Sequence, residues 1–223
     1  MKIKEYKVFF DFDNTITLVD TLDDIIERFS VNQDWVKFEQ DWKKGKIGSR
    51  ECLKGQLHCV RITRADLLRY LAKIKLDKHF KALLLFLRKQ GIKPVILSDN
   101  FSPLIRFILR SHGIRGLKIY ANGIKFLGDR LKLSFPYQNV SCFRCGHCKK
   151  NNLLKTGFRD KIIYIGDGLS DVCPACEADI VFAKASLAKQ LKKRNKRYIA
   201  FKNLGKVLTC LKKPAYRQAG RIR

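Results

Sequence analysis

The chain has 223 residues, of which 46% are hydrophobic and 30% are charged, so it can bury a substantial core and keep a polar surface. Its 47 basic and 20 acidic residues give a net charge of +27, which would speed the arrival of an anionic ligand. The longest apolar run near the N-terminus covers only residues 8–10. That run is too short for a signal peptide or a membrane span, so the sequence predicts a cytoplasmic protein that does not use a membrane.

The first predicted element is a short buried strand over residues 6–12, a segment that is apolar and rich in β-forming residues. Residues 18–75 contain no second strand of this kind. Apolar side chains recur there at helical spacing in three segments, around Ile25, Phe38 and Leu68. The pattern predicts a small module made of helices.

Strands and helices alternate in the rest of the chain. Glycines at positions 91 and 113 are expected to end helices over residues 80–89 and 101–111, and Gly123 with residues 128–129 predicts a hairpin. Apolar strands are predicted at residues 94–97, 117–121, 161–165, 180–182 and 198–200. This alternation indicates an α/β fold with a parallel sheet covered on both faces, in which ligands bind beyond the carboxyl ends of the strands.

The segment after the first strand reads D-F-D-N-T and places two carboxylates, Asp11 and Asp13, on the same side of an extended chain. Carboxylates held this close repel each other unless a cation lies between them or one keeps its proton. Mg²⁺ suits such oxygen ligands. A carboxylate can also attack a phosphoryl group while its neighbour protonates the leaving oxygen. A calcium-binding loop is excluded, because Ile16 and Leu22 replace its required glycine and glutamate.

A second acidic cluster follows another predicted strand, in the segment G-D-G-L-S-D at residues 166–171. Asp167 and Asp171 are four residues apart, so a helix beginning there would place them on one face. Ser98 ends the strand before a predicted helix, where a hydroxyl and backbone N–H groups can bind an anion. Lys149 lies where a loop enters a helix and could neutralise a phosphate. For Ser98, the alternative is an ordinary capping residue.

In this order and context, D-F-D-N-T, Ser98, Lys149 and G-D-G-L-S-D resemble the four motifs of the haloacid dehalogenase (HAD) superfamily. The helical module resembles the cap of the subclass that contains phosphoserine phosphatase. The segments around C-G-H-C-K (145–149) and G-D-G-L-S-D-V-C-P-A (166–175) resemble a narrower group, the 2-hydroxy-3-keto-5-methylthiopentenyl-1-phosphate phosphatases and the phosphoethanolamine/phosphocholine phosphatases. The resemblance implies a Rossmann-like HAD core, a helical cap and a basic tail, with these predicted boundaries: core 1–16 and 77–205, cap 17–76, tail 206–223.

The resemblance also implies a mechanism for hydrolysis of a small phosphorylated metabolite. Asp11 would attack the phosphorus, and Asp13 would protonate the departing alkoxide and then deprotonate the water that hydrolyses the aspartyl phosphate. Ser98 and Lys149 would bind the phosphate oxygens, both in catalysis and in substrate binding.

The implied cofactor is Mg²⁺. The resemblance places the ion on a carboxylate oxygen of Asp11, the backbone carbonyl of Asp13 and the carboxylate of Asp167, with Asp171 supporting the ligands. The ion and the lysine together would offset the charges of the nucleophile and the phosphate.

Substrate preference is expected to differ from that of phosphoserine phosphatases. Their phenylalanine and carboxylate-binding arginine correspond to Ser49 and Gln56, whereas Asp20 corresponds to their amine-binding glutamate. The sequence therefore predicts a sugar-like phosphate of methionine salvage or an amine-bearing phosphomonoester, with Asp20 and Gln56 as candidate substrate-binding residues. Phosphoserine is the alternative substrate. Asn100 stands where the family usually has glycine, and asparagine tolerates positive φ better than most residues.

Two features lie outside this assignment. Five of the eight cysteines, at positions 142, 145, 148, 173 and 176, have metal-ligand spacing, although small buried residues are the preferred interpretation. Residues 184–223 contain 14 lysines and arginines and no acidic residue. The preferred interpretation is a solvated basic surface, and the alternative is a nucleic-acid-binding segment.

Overall fold

A computed structural model describes residues 3–157 and 160–213. These residues form one seven-stranded sheet in the order β4-β3-β2-β1-β5-β6-β7. All neighbouring strands are parallel except β3 and β4, which form an antiparallel hairpin. The strands are β1 (Tyr6–Phe10), β2 (Val95–Phe101), β3 (Lys118–Leu127), β4 (Arg130–Ser134), β5 (Lys161–Gly166), β6 (Ile180–Ala183) and β7 (Ile199–Ala200). The predicted α/β class is therefore confirmed.

Four helices follow β1 before Leu76: α1 (Thr21–Phe29), α2 (Trp35–Lys43), α3 (Ser49–His58) and α4 (Arg64–Leu71). Thr17 and Leu76 pair in an isolated antiparallel bridge, so the chain leaves and returns at neighbouring points. The limits of the core, cap and tail stay a prediction. The remaining helices are α5 (Phe80–Lys89), α6 (Ser102–Ser111), α7 (Lys149–Gly157), α8 (Val172–Glu177), α9 (Ala185–Lys193) and α10 (Leu204–Lys212).

The apolar core lies on both faces of the sheet, as the pleat of β1 requires. Val8 and Phe10 point to the face covered by α5, α6 and α10, and Phe9 points to the face covered by α7, α8 and α9. All three side chains are almost fully buried. Along the described parts of the chain, no helix is long and apolar enough to cross a membrane.

Several predicted element limits were wrong, for reasons visible in the packing. β1 ends at Phe10 rather than residue 12, and β2 runs on to Phe101, the predicted start of α6. β3 continues through Gly123, so only residues 128–129 form the hairpin turn. A Cβ atom at Gly123 would lie 2.2 Å from Oγ of Ser134 on β4, so this glycine permits close strand packing and does not mark a turn.

Helix α3 has no counterpart among the sequence predictions. Its interior contains Gly55, which weakens a helical pattern. A Cβ atom at Gly55 would lie only 2.3 Å from the ring of Phe38, so the glycine allows α2 and α3 to approach closely. A tertiary contact therefore explains a residue that local propensity disfavours.

Candidate active site

Polar residues from three adjacent strands meet at one edge of the sheet. Because β2, β1 and β5 are neighbours and parallel, their carboxyl ends lie together. Asp11 follows β1, Asp167 follows β5, and Ser98 lies near the end of β2. The backbone N–H of Asp11 donates to the carbonyl of Ile165 over 2.9 Å, which ties the two acidic segments together. All three polar side chains are buried.

Lys149, the first residue of α7, contacts the carboxylates of two aspartates from distant parts of the chain. Its Nζ lies 2.6 Å from Oδ1 of Asp11 and 2.8 Å from Oδ1 of Asp171. Burial alone would lower the pKa of Lys149, but Asp11 and Asp171 raise it well above its ordinary value. The ammonium group therefore stays charged beside Asp11.

The carboxylate of Asp171 receives four hydrogen bonds. Besides Lys149, the donors are the hydroxyl of Tyr164 at 2.6 Å and the backbone N–H groups of Asp167 at 3.0 Å and Gly168 at 2.9 Å. A Cβ atom at Gly166 would lie 2.5 Å from Oδ2 of Asp171, so glycine is required there. Asp171 thus orders the loop after β5 and orients Lys149.

Three carboxylates form the candidate metal site: ligand oxygens of Asp11, Asp167 and Asp171 all lie within 4.8 Å of one another. Burial and the charge of Asp171 raise the pKa of Asp11 well above its ordinary value and raise that of Asp167 to about 6. Thr15 donates to Oδ1 of Asp167 over 2.9 Å. A buried all-oxygen set of repelling carboxylates fits a hard divalent cation such as Mg²⁺. Since Asp171 already receives four hydrogen bonds, Asp11 and Asp167 are the better direct ligands.

Asp13 lies between the first helix and strand β2. The backbone N–H of Thr21 donates to its Oδ1 over 3.0 Å, and the Thr21 hydroxyl also donates to that oxygen. The side-chain amide of Asn100 donates to both carboxylate oxygens, at 3.1 and 2.9 Å. Burial and the charge of Asp20 raise the pKa of Asp13 to about 7, although the hydrogen bonds from Thr21 and Asn100 oppose this. Asp13 is thereby suited to exchange protons near neutral pH.

A buried histidine connects Ser98 with the segment that carries Lys149. Nδ1 of His147 lies 2.7 Å from the carbonyl oxygen of Ser98, and the amide of Asn152 lies 2.8 Å from Nε2. Burial lowers the pKa of His147, so the ring is neutral, with Nδ1 donating and Nε2 accepting. The Ser98 hydroxyl accepts from the N–H of Asn100 over 3.0 Å and can still donate its own hydrogen to an anion.

The two candidate substrate-binding residues of the helical segment are already engaged in local contacts. Asp20 begins α1, where Oδ1 accepts from the N–H groups of Leu22 and Asp23, both over 3.1 Å. Gln56 is buried on α3, and the thiol of Cys52 donates to its Oε1 over 3.3 Å. Asp20 lies close enough to Asp13 to raise its pKa, and the substrate roles of Asp20 and Gln56 stay predictions.

Sequence reasoning missed Thr21, Tyr164 and His147, and it misjudged Asn100. Strand β2 continues through Asn100, and its φ is not among the positive values. Its amide instead contacts Asp13 and, at 2.6 Å, the hydroxyl of Thr21. An asparagine directly after S-D at a strand end was the available signal, but the partner lies 87 residues away in the chain.

All eight cysteines are free. Cys142 lies beside Cys145 and contributes, after burial, to raising its pKa. Within the described residues, the aspartate trio is the only group that brings three possible ligand atoms within 4.8 Å of one another. Of the five clustered cysteines, only Cys148 is buried, and Cys173 and Cys176 are exposed, so the expectation of small buried residues was wrong for most of the cluster.

Comparisons with known proteins agree with this geometry. The family described as "Putative Phosphatase" matches residues 6–201. The chain is 30% identical to Pdp3-interacting factor 1 of Schizosaccharomyces pombe over 192 residues, covering 81% of this chain and 82% of that protein. It is 28% identical to 2-hydroxy-3-keto-5-methylthiopentenyl-1-phosphate phosphatase of Brevibacillus brevis, covering 83% and 85% of the two chains.

A solved structure described as a phospho-aspartyl intermediate analogue of phosphoserine phosphatase superposes with a TM-score of 0.70 and 17% identity, covering 91% of this chain and 96% of that one. At that identity the match shows a shared fold. The family match spans most of the chain and includes all the residues that meet at the sheet edge. The chain belongs to this phosphatase family.

Proposed function

We propose that the protein is a Mg²⁺-dependent phosphatase that hydrolyses a small phosphomonoester through an aspartyl phosphate on Asp11. The observation that carries this proposal is the placement of a buried, charged Lys149 against Asp11, with Asp13 nearby at a pKa of about 7. The arrangement supplies a nucleophile, a cation for the phosphate and a group that can exchange a proton.

The reaction has two steps. Asp11 attacks phosphorus, the bond to the leaving oxygen breaks, and Asp13 gives its proton to that oxygen. Asp13 then takes a proton from water, which attacks the aspartyl phosphate and releases inorganic phosphate. Ser98 and Lys149 hold the phosphate oxygens in both steps.

Asp11, Asp167 and the backbone carbonyl of Asp13 are the proposed metal ligands, and Asp171 orients its neighbours. When bound, Mg²⁺ offsets the repulsion between the nucleophile and the phosphate dianion. Burial and the charge of Asp171 raise the pKa values of Asp11 and Asp167, and this supports the proposal because a cation would stabilise both ionised carboxylates.

The proposed substrate carries no carboxylate near the phosphate. Gln56, at the position of the arginine that binds the carboxylate of phosphoserine, is neutral and buried, and the hydroxyl of Ser49 accepts a hydrogen bond from Trp42 over 3.0 Å. Asp20 is available for an amine or a hydroxyl group through Oδ2. The Brevibacillus brevis relative is named for a hydroxylated keto phosphate, which supports a sugar-like phosphate of methionine salvage, with amine-bearing phosphomonoesters second and phosphoserine as the alternative.

A panel of phosphorylated metabolites, assayed for phosphate release with and without Mg²⁺, tests this proposal. We expect Mg²⁺-dependent hydrolysis of small monoesters, with sugar-like or amine-bearing phosphates preferred to phosphoserine. A preference for phosphoserine would contradict the substrate assignment. Absence of Mg²⁺-dependent phosphate release across the whole panel would contradict the proposed activity.

The metal-free protein is expected to lose stability as the pH rises. A raised pKa means that the folded state binds the proton more tightly than the unfolded state. For Asp167, protonation therefore stabilises the folded state fully below the ordinary pKa of 3.8, and this stabilisation is lost as the pH rises through about 6. Mg²⁺ at 100 times its Kd should add about 2.7 kcal/mol to the free energy of unfolding.

Thermal unfolding with and without Mg²⁺ at pH 5 and pH 8 measures this effect. The increase in Tm should be larger at pH 8, where the carboxylates are ionised, and should be lost in Asp167→Asn. An equal increase at both pH values, or an unchanged increase in the variant, would show that the ion binds elsewhere.

A further inference from the structure

A cavity of about 380 Å³ lies at the edge of the sheet opposite the candidate active site. Helix α6 starts at the carboxyl end of β2 and runs back, and the segment 112–117 then leads to the amino end of β3. The floor of the cavity consists of the buried side chains of Leu109, Ile114, Leu117 and Ile119. Its size is within the range of small-molecule sites.

Three exposed arginines, Arg106, Arg110 and Arg115, form the rim of this cavity. No carboxylate of the described residues lies within 4.0 Å of their guanidinium groups. Arg106 donates to the hydroxyl of Ser102 over 3.2 Å, and Arg88 donates to the backbone carbonyl of Arg115 over 2.9 Å, which brings a fourth arginine to the rim. Guanidinium groups gathered without acidic partners match the bidentate geometry of phosphate.

The helices on this face extend the positive surface. Helices α5, α6 and α10 contain no aspartate or glutamate, and α5 packs against α10. Lys81, Lys89 and Lys206 are exposed on α5 and α10. Leu85 is the only large apolar residue of these helices that is strongly exposed, at 58%, so the face lacks the apolar side chains that membrane insertion requires.

We propose that the arginine cavity and the adjoining surfaces of α5 and α10 bind a single strand of nucleic acid. The arginines would bind backbone phosphates, which supply most of the sequence-independent affinity for nucleic acid. The choice of a single strand follows from the long positive face together with a small cavity rimmed by arginines, which one nucleotide could enter and a duplex could not. This site is separate from the proposed phosphatase centre, and it shares with the predicted basic tail only residues 206–212 of α10. Residues 214–223 of that tail lie outside the described part of the chain.

The test is fluorescence anisotropy of a short labelled single-stranded RNA with the full-length protein, between about 50 and 200 mM KCl. The variant Arg106→Gln/Arg110→Gln/Arg115→Gln removes the rim. The matched control Lys189→Gln/Lys192→Gln/Lys193→Gln removes the same charge from α9, on the opposite face of the sheet. Hydrolysis of p-nitrophenyl phosphate should be unchanged in both variants, which verifies folding.

The arginine variant should bind RNA about 10-fold or more weakly. The slope of the logarithm of the association constant against the logarithm of the salt concentration should become less steep by about 2, as expected for three lost phosphate contacts. The lysine control should lose clearly less affinity. Equal losses in both variants, unchanged binding in the arginine variant, or no binding by the original protein at 100 mM KCl would each overturn the proposal. Arginine-dependent binding to anionic lipid vesicles without RNA binding would also overturn it, in favour of a membrane surface.

Discussion

Replacing Asp11 with asparagine is expected to reduce phosphate release from every substrate by more than about 10⁴-fold. Asparagine has nearly the same shape but lacks the anionic oxygen that attacks phosphorus. Lys149 keeps its contact with Asp171 in this variant, so the site should remain assembled. The measurement is kcat with saturating Mg²⁺ on p-nitrophenyl phosphate and on the best metabolite of the panel.

A matched control makes this result specific. Asp160 is exposed and pairs with Lys7 over 3.4 Å, so Asp160→Asn makes the same chemical change away from the site. Its activity should equal that of the original protein, and the Tm of both variants should show that they are folded. Activity of Asp11→Asn close to that of Asp160→Asn would exclude Asp11 as the nucleophile.

Replacing Asp13 with asparagine is expected to slow hydrolysis of alkyl phosphates by about 10²- to 10⁴-fold. The alkoxide is a poor leaving group that requires a proton, and Asp13, with its pKa of about 7, supplies it. p-Nitrophenolate leaves without protonation. The variant should therefore form the aspartyl phosphate from p-nitrophenyl phosphate at a rate much closer to that of the original protein. The measurement compares single-turnover rates of the two substrates.

The hydroxyl of Thr21 provides a finer control on the same role. Thr21→Val removes its hydrogen bond to Asp13 but keeps the side-chain shape, and Thr21→Ser keeps the hydroxyl. Because this hydrogen bond lowers the pKa of Asp13, the pH above which alkyl phosphate hydrolysis declines should move upward in the valine variant, and serine should restore it. If Asp13→Asn slows both kinds of substrate equally, Asp13 does not act as the general acid.

The sequence alone predicted where the site would form. Asp11, Ser98 and Asp167 each follow or end an apolar strand, and the carboxyl ends of parallel strands meet at one edge. Strand ends and helix starts, including the start of α7 at Lys149, depend mainly on residues that are adjacent in the sequence, so they can be predicted from it. The strand order that makes β2, β1 and β5 neighbours was not predicted and became visible in the structure.

The remaining parts of the site depend on contacts between distant residues. Asn100 reaches Asp13 across 87 positions, and His147 reaches Ser98 across 49. Gly55 and Gly123 disfavour regular structure locally, but each is explained by a side chain on a neighbouring element. A single sequence carries no record of such pairs, so they became visible only in the folded chain.

Trapping the covalent intermediate tests directly whether Asp11 is the nucleophile. The protein is mixed with Mg²⁺ and substrate carrying a labelled phosphate, quenched rapidly in acid and digested, and the labelled peptide is identified. We expect label on Asp11, released by hydroxylamine as expected for an acyl phosphate, and none in Asp11→Asn. Label on another residue, or turnover without any trapped label, would contradict an aspartyl phosphate at Asp11.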